Sequence, residues 1–318
     1  MQATLEQLEA AAEQVYGVMA PTLQHNWPLL SKRCGCEVWV KHENHTPIGA
    51  FKVRGGIVYM RDVVARGGVS GVISATRGNH GQSIGMAARA AGIAATIVVP
   101  KGNSREKNAA MAALGVDLIV HGPDFDAARD HAVMLAAEKG LAMVPAFHPL
   151  LVRGVASYSL EFLRAVDGLD TVYVPIGQGS GICGMIAARD ALGLTLDIVG
   201  VVSERAPAYA LAFETGRATV TNSAYTFADG VACRATDPDA LAIIRKGAAR
   251  VVTVGEESIE AAIRAYYTDT HNLAEGAGAV PLAALLREKS AMAGKRVGLV
   301  LSGGNIDMDV YNGILSRA

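Results

Sequence analysis

Short apolar runs rich in Val, Ile and Leu alternate along the chain with longer stretches whose apolar positions recur at helical spacing. Strands are expected at 37–41, 71–74, 95–99, 117–120, 143–146, 171–175, 197–202, 250–254 and 296–301. Several are continuous apolar runs, the pattern of strands covered on both faces. Helices are expected at 81–91, 105–114, 125–139, 154–166, 181–192, 257–268 and 278–289, and a further helical stretch opens at Lys52. This β–α alternation means an α/β fold of doubly wound parallel sheets. In such sheets ligands bind beyond the carboxyl ends of the strands. The polar or Gly-rich segments 74–82, 177–184, 228–234 and 302–307 fall at positions of that kind. Together with Lys52 they suggest one crevice assembled from distant parts of the chain.

Length and charge narrow the picture. At 318 residues the chain is long for one hydrophobic core, so two domains are expected. With 51% hydrophobic and 19% charged residues, no long disordered tail is expected. A net charge of −1 without any Lys/Arg block gives nucleic acid or an anionic membrane no footprint. The acidic, amphipathic start lacks the basic and apolar regions of a signal peptide, and no apolar run reaches spanning length. A cytoplasmic location is therefore expected, with Cys34, Cys36, Cys183 and Cys233 as free thiols. Cys34-Gly-Cys36 has no second Cys/His pair to complete a metal site.

Two segments carry candidate chemistry. In Pro175–Gly184 a strand end is followed by Gly177, Gly179, Ser180 and Gly181. Glycines let the backbone approach an anion, and the next helix aims its free N–H groups at the same place. That is a phosphate cradle, although Gly-rich turns also serve simply to pack a helix on a sheet. No Gly-Lys-Ser/Thr follows, which disfavours a nucleotide P-loop. In Lys41–Gly55 a turn at Pro47 and Gly49 leads to Phe51-Lys52 at a helix start. The helix dipole favours anions there, so a lysine is electrostatically misplaced. A surface lysine is the ordinary explanation; a cofactor-bearing lysine would need a depressed pKa and a carbonyl partner.

The second segment resembles the lysine signature of the serine/threonine dehydratase group of fold-type-II pyridoxal 5′-phosphate (PLP) enzymes, which also includes serine racemase. Ser74-Ala-Thr-Arg-Gly-Asn-His-Gly-Gln82 resembles the group's Ser-x-Gly-Asn-His loop, and Gly177–Gly184 its glycine phosphate loop. Ala228-Asp-Gly230 and Leu301-Ser-Gly-Gly-Asn305 resemble its later motifs. Five segments in matching order span nearly the whole chain.

The resemblance implies a tryptophan-synthase-β-like fold: a large PLP-binding domain of residues 1–66 and 147–318, with a small domain inserted at 67–146. It implies that Lys52 carries PLP and moves protons at Cα and the leaving group. Phe51 lies on one face of the pyridine ring with Gly230 near the other, and Asn79 meets the ring hydroxyl. Gly177, Gly179, Ser180 and Gly181 hold the phosphate, Ser302 the ring nitrogen, and Glu275 positions the cofactor region. Thr76, Asn79 and His80 line the substrate carboxylate site, and Asp229 faces the substrate side chain. The expected reaction is β-elimination from a small hydroxy amino acid such as threonine or serine, giving a 2-oxo acid and ammonia. A homodimer is implied. Few residues follow the Ser302 motif, so a C-terminal regulatory module is not expected.

Three departures qualify the resemblance. Arg77 stands where serine racemase has a serine acid/base, and a permanently charged guanidinium is a poor proton shuttle. Either it pairs with a nearby carboxylate of the protein, or it attracts a second carboxylate on the substrate, with Arg153 as a possible helper. A 3-hydroxyaspartate or phenylserine-type dehydratase is thus the alternative; a racemase and a β-replacement synthase are further ones. At the group's divalent-cation site the chain offers Glu204 and Ala208, but Ala210 replaces an Asp, so no metal is expected. Cys233 stands where racemase-like members have a serine.

Overall fold

The computed structural model describes residues 3–317. It contains two sheets. The larger has strand order β1 (Gln24–Asn26), β2 (Glu37–His42), β10 (Arg296–Leu301), β7 (Thr171–Pro175), β8 (Asp197–Ser203) and β9 (Arg250–Val254). The smaller runs β5 (Asp117–Val120), β4 (Ala94–Val99), β3 (Gly71–Ala75) and β6 (Ala142–Met143). Every pairing is parallel except β1 on β2. The thirteen helices among the described residues are, in chain order, α1 (Leu5–Tyr16), α2 (Pro28–Cys34), α3 (Lys52–Arg66), α4 (Asn79–Ala90), α5 (Arg105–Ala113), α6 (Phe125–Lys139), α7 (Pro149–Ala165), α8 (Ser180–Ala191), α9 (Ala208–Thr215), α10 (Pro238–Gly247), α11 (Glu256–Thr270), α12 (Gly276–Arg287) and α13 (Met308–Ser316). None is long and apolar enough to cross a membrane.

The inner strands of both sheets are buried on both faces, which explains the continuous apolar runs, whereas the edge strands β1 and β5 are partly exposed. In β10, Val297, Leu299 and Leu301 enter the core shared with α11 and α12, while Val300 enters the opposite core shared with α7 and α8. In β3, Val72 packs toward α3 and α4, whereas Ile73 and Ala75 pack toward α6. The period-2 alternation of a strand thus feeds two cores at once.

Two expected boundaries moved and one strand was not expected, each for a physical reason. The strand expected at 143–146 shrinks to Ala142–Met143, because Pro145 has no N–H to extend a ladder. The helix expected from 154 begins at Pro149, with His148 accepting from Leu150 N and Pro at the first turn. Strand β1 is three polar residues on an edge, too short for an alternating pattern to register.

Helix α3 is fixed with unusual closeness. A Cβ at Gly154 would collide with the Arg54 carbonyl, and one at Gly55 would lie 2.8 Å from the Leu151 carbonyl, so α3 and α7 touch backbone to backbone. Fully buried Arg54 is held by Glu43 at 2.7 Å, Glu161 at 2.6 Å and Ser157 at 2.9 Å. Lys41 joins Glu161 at 2.6 Å, which balances two buried cations with two carboxylates. Arg54 lies two residues beyond Lys52, so this network sets where α3 starts.

Candidate active site

The carboxyl ends of β3, β7 and β10 open onto one chamber. From β10, the Ser302 carbonyl accepts from Phe51 N at 3.0 Å, and Gly304 N donates to the Gly49 carbonyl at 2.9 Å. These bonds lay the Pro47–Lys52 turn along the end of the strand. From β7, the chain bends through Gly179, whose φ of 101° is a left-handed value suited to glycine, and enters α8 at Ser180. No side chain caps α8, so its first N–H groups face the chamber. The N-terminus of α4 faces it too: Gly78 caps it without a side-chain bond, and Thr76 Oγ1 accepts from Gly78 N and Gly81 N. Two helix starts converging on one chamber are an arrangement that can favour anions.

Lys52 stands between them. Its Nζ donates to Ser180 Oγ at 3.1 Å, its only hydrogen bond among the described residues, and lies 5.1 Å from the Phe51 ring centre. The Phe51 ring meets Tyr158 edge-on, at 6.0 Å between centres. Burial without a carboxylate partner pulls the Lys52 amine down to about 8. Burial, helped by the Lys52 charge, pushes His80 down to about 3, which keeps it neutral; its buried Nε2 has no partner. Cys233 donates no bond and accepts from Gln178 Nε2 at 3.3 Å; burial lifts its thiol to about 11.

The same chamber wall carries a polar cluster centred on Lys107, the one member that the sequence did not single out. Lys107 Nζ donates to Asp229 at 2.6 and 2.8 Å and to Glu275 at 2.9 Å. Glu275 also accepts from Asn79 Nδ2 at 2.6 Å, and Asn79 Oδ1 accepts from Asn305 at 2.9 Å. Burial opposes the charge on Lys107, but Asp229 and Glu275 outweigh it and hold the amine above the usual lysine range. Burial pushes the Glu275 carboxyl up against the pull of Lys107. Lys107 looks like any surface lysine in an Arg-Glu-Lys run. The signal that would have found it is its place one turn before buried Met111, on the inner stripe of α5.

The structure brings Phe51, Lys52, Thr76, Arg77, Asn79, His80, Gly177, Gly179, Ser180, Gly181, Asp229, Gly230, Glu275 and Ser302 to the chamber wall. It does not bring Arg153 there: that residue lies in α7 and lines neither this chamber nor the cavity beyond it. Asp229 reaches the chamber already paired with Lys107, and Asn79 already bonded on both sides of its amide. Glu204 is exposed and lies 3.6 Å from Arg287. Among the described residues no cluster of three or more His, Cys, Asp or Glu could hold a metal ion. All four cysteines are unpaired and buried.

A lysine with a lowered pKa can attack an aldehyde, and an uncapped helix start with a glycine turn can hold a phosphate. Their side-by-side placement fits a phosphorylated aldehyde, and Phe51 supplies an aromatic face for a planar ring. The family described as "Pyridoxal-phosphate dependent enzyme" matches residues 17–303. The chain is 32% identical to the L-threonine ammonia-lyase of Thermotoga maritima over 99% of its own length and 78% of that protein. It is 30% identical to the L-threo-3-hydroxyaspartate ammonia-lyase of Saccharomyces cerevisiae, over 91% of this chain and 89% of that one. The processed threonine deaminase isoform 2 of Solanum lycopersicum superposes with a TM-score of 0.90 at 27% identity, covering 99% of this chain and 94% of that chain.

Proposed function

The chain belongs to the pyridoxal-phosphate dependent enzyme family, and from that premise we propose that it is an ammonia-lyase acting on a small β-hydroxy amino acid such as threonine or serine. The observation that carries the reading is the Lys52 amine, drawn down to about 8, beside Ser180 and the uncapped start of α8. Named relatives at about this level of identity support the same reaction.

Bound PLP supplies an electron sink for the pair left at Cα when its proton departs. The rest falls to the protein. Ser180 and the turn through Gly177, Gly179 and Gly181 hold the phosphate. Phe51 and Gly230 flank the ring. Asn79, steadied by Glu275 and Asn305, meets the ring hydroxyl. Ser302 offers the ring nitrogen a neutral hydroxyl rather than a carboxylate, which moderates the sink and favours elimination over transamination. The α4 start, with Thr76 and His80, takes the substrate carboxylate. Lys52 takes the proton from Cα and returns one to the departing β-hydroxyl, which leaves as water. The released enamine tautomerises and hydrolyses to a 2-oxo acid and ammonia.

Residues 67–146 act in this reading as a small domain that closes over the substrate and excludes water. Asp307 accepts from Ser104 Oγ and from the backbone of Arg105 and Glu106 at the start of α5, a polar seam suited to such closure. A cytoplasmic homodimer belongs to the same reading, and light scattering on the purified protein tests the dimer.

The test of function is a panel of serine, threonine, phenylserine and both 3-hydroxyaspartate diastereomers on PLP-loaded protein. Oxo acid and ammonia released in equal amounts are expected. Racemised substrate without oxo acid, or a β-thiol amino acid such as cysteine formed from serine in the presence of sulfide, would instead favour the racemase or the β-replacement synthase.

Capture of the cofactor should depend on pH. Only the uncharged amine attacks an aldehyde, so the rate at which stripped protein takes up PLP rises with pH and levels off above about 8. Stopped-flow absorbance measures it. A rate still climbing tenfold per pH unit toward the ordinary lysine value of 10.5 would place the reactive amine elsewhere.

A further inference from the structure

Arg77 is left without a partner by the site as described so far. It forms no hydrogen bond and no salt bridge among the described residues, and its Nε is buried and unpaired. The two other arginines of the adjoining cavity each carry an ion pair, Arg129 with Asp126 and Asp130 and Arg234 with Asp126, although Arg234 Nε is itself unpaired; Arg77 has no ion pair at all among the described residues. Of the two readings of Arg77, pairing with a carboxylate of the protein is not seen among the described residues. A partly desolvated guanidinium facing a ligand chamber without an anion is costly unless a ligand supplies one.

Its position indicates which part of a ligand would do so. Arg77 stands on the wall shared by the chamber and a second cavity of about 730 Å³. Cys233 stands on the same shared wall, bordering both the chamber that holds Lys52 and the second cavity. The start of α8 beside Lys52 is committed to the phosphate. The rest of the shared wall is Ala75, Phe125, Ala146, Gln178, Ala232 and Cys233, none of which carries a carboxylate, and Asp126 in the second cavity is engaged by Arg129 and Arg234. A hydroxymethyl or hydroxyethyl side chain would leave Arg77 unanswered. A carboxylate on Cβ would answer it with a planar, two-point contact.

We propose that Arg77 is a specificity-determining residue and that the preferred substrate is a β-hydroxy amino acid carrying a second carboxylate on Cβ, namely 3-hydroxyaspartate. The proposal rests on the β-elimination reading above. The Cα–H and Cβ–O bonds break and water leaves. The enamine diacid tautomerises to the imine, which takes up one water and releases ammonia, so the net products are oxaloacetate and ammonia. The second carboxylate is unchanged throughout and serves only as a handle.

The test compares kcat/KM for serine, threonine and both 3-hydroxyaspartate diastereomers in the PLP-loaded parent, Arg77→Gln and Arg77→Lys. One diacid diastereomer should be the best substrate. Arg77→Gln should lower its kcat/KM about 100-fold, mainly through KM, and leave serine within about threefold. Arg77→Lys should recover part of the loss, because it keeps the charge without the fork. Equal losses for serine and the diacid would assign Arg77 to the α-carboxylate and overturn the proposal, as would no loss or a parent preference for serine or threonine. A binding measurement guards against a variant that does not fold. In the parent, succinate should raise the apparent Tm at about 100-fold lower concentration than butyrate; equal potency would also overturn the proposal. If no amino acid on the panel released oxo acid, the elimination reading itself would fail, and the succinate-to-butyrate ratio would still decide on the anion site.

Discussion

Replacing Lys52 with alanine is expected to lower kcat/KM by about 10⁴-fold or more, since the residue both carries the cofactor and moves the reacting proton. The variant should nevertheless fold. The Lys52 amine makes one hydrogen bond, to Ser180, and its burial favours the uncharged form. The folded-state value, about 8, lies below the ordinary 10.5, so the unfolded chain binds the proton more tightly near neutrality. This group therefore adds stability only as pH rises from about 8 toward 10.5, and at pH 7 its charge opposes folding. Lys52→Ala should match or exceed the parent in apparent Tm at pH 7 while losing turnover. A variant that lost activity and also unfolded early would point to a structural lysine instead.

Arg54→Met is expected to be the most damaging substitution outside the chamber. It strips the partner from Glu43 and two hydrogen bonds from Glu161, leaving Lys41 to balance two buried carboxylates. Breaking such a buried cluster from one side costs about 3–5 kcal/mol, or roughly 5–10 °C in apparent Tm for a chain of this size. Although burial pushes the other way, Arg54 and Lys41 hold Glu161 below the ordinary carboxyl value of 4.5. The stability this provides is present above that value and is lost as pH falls through the lower folded one. Thermal unfolding of parent and variant should thus differ most near neutrality and converge in acid. A constant gap from pH 7 down to pH 3 would mean that packing, not charge, accounts for Arg54. Because Arg54 also anchors the first turn of α3, PLP uptake should slow in the same variant.

Much of the architecture was legible because strands buried on both faces leave continuous apolar runs. Strands β5, β7, β9 and β10 fall where those runs predict them. What escaped was local in origin. The edge strand β1 has no apolar face to betray it. The early start of α7 depends on a His148 cap and Pro149, a turn before the apolar pattern begins. The chamber could be read wherever backbone geometry demands an unusual residue, as at Gly179, or wherever a motif stood out, as at Asn79 and His80. Lys107 escaped because its partners, Asp229 and Glu275, are 122 and 168 positions away, and only the packing of α5 against them makes it a buried cation. Arg153 illustrates the opposite error. A nearby arginine is attractive on charge alone, but its position in α7 keeps it off the chamber wall.

The most direct measurement is borohydride reduction of the PLP-loaded protein, followed by peptide mass mapping. A single stable pyridoxyl adduct on the peptide containing Lys52 is the predicted result, together with loss of the yellow cofactor band on reduction. An adduct on another lysine, or a reduced protein that releases all its cofactor on unfolding, would contradict the assignment on which the proposed chemistry depends.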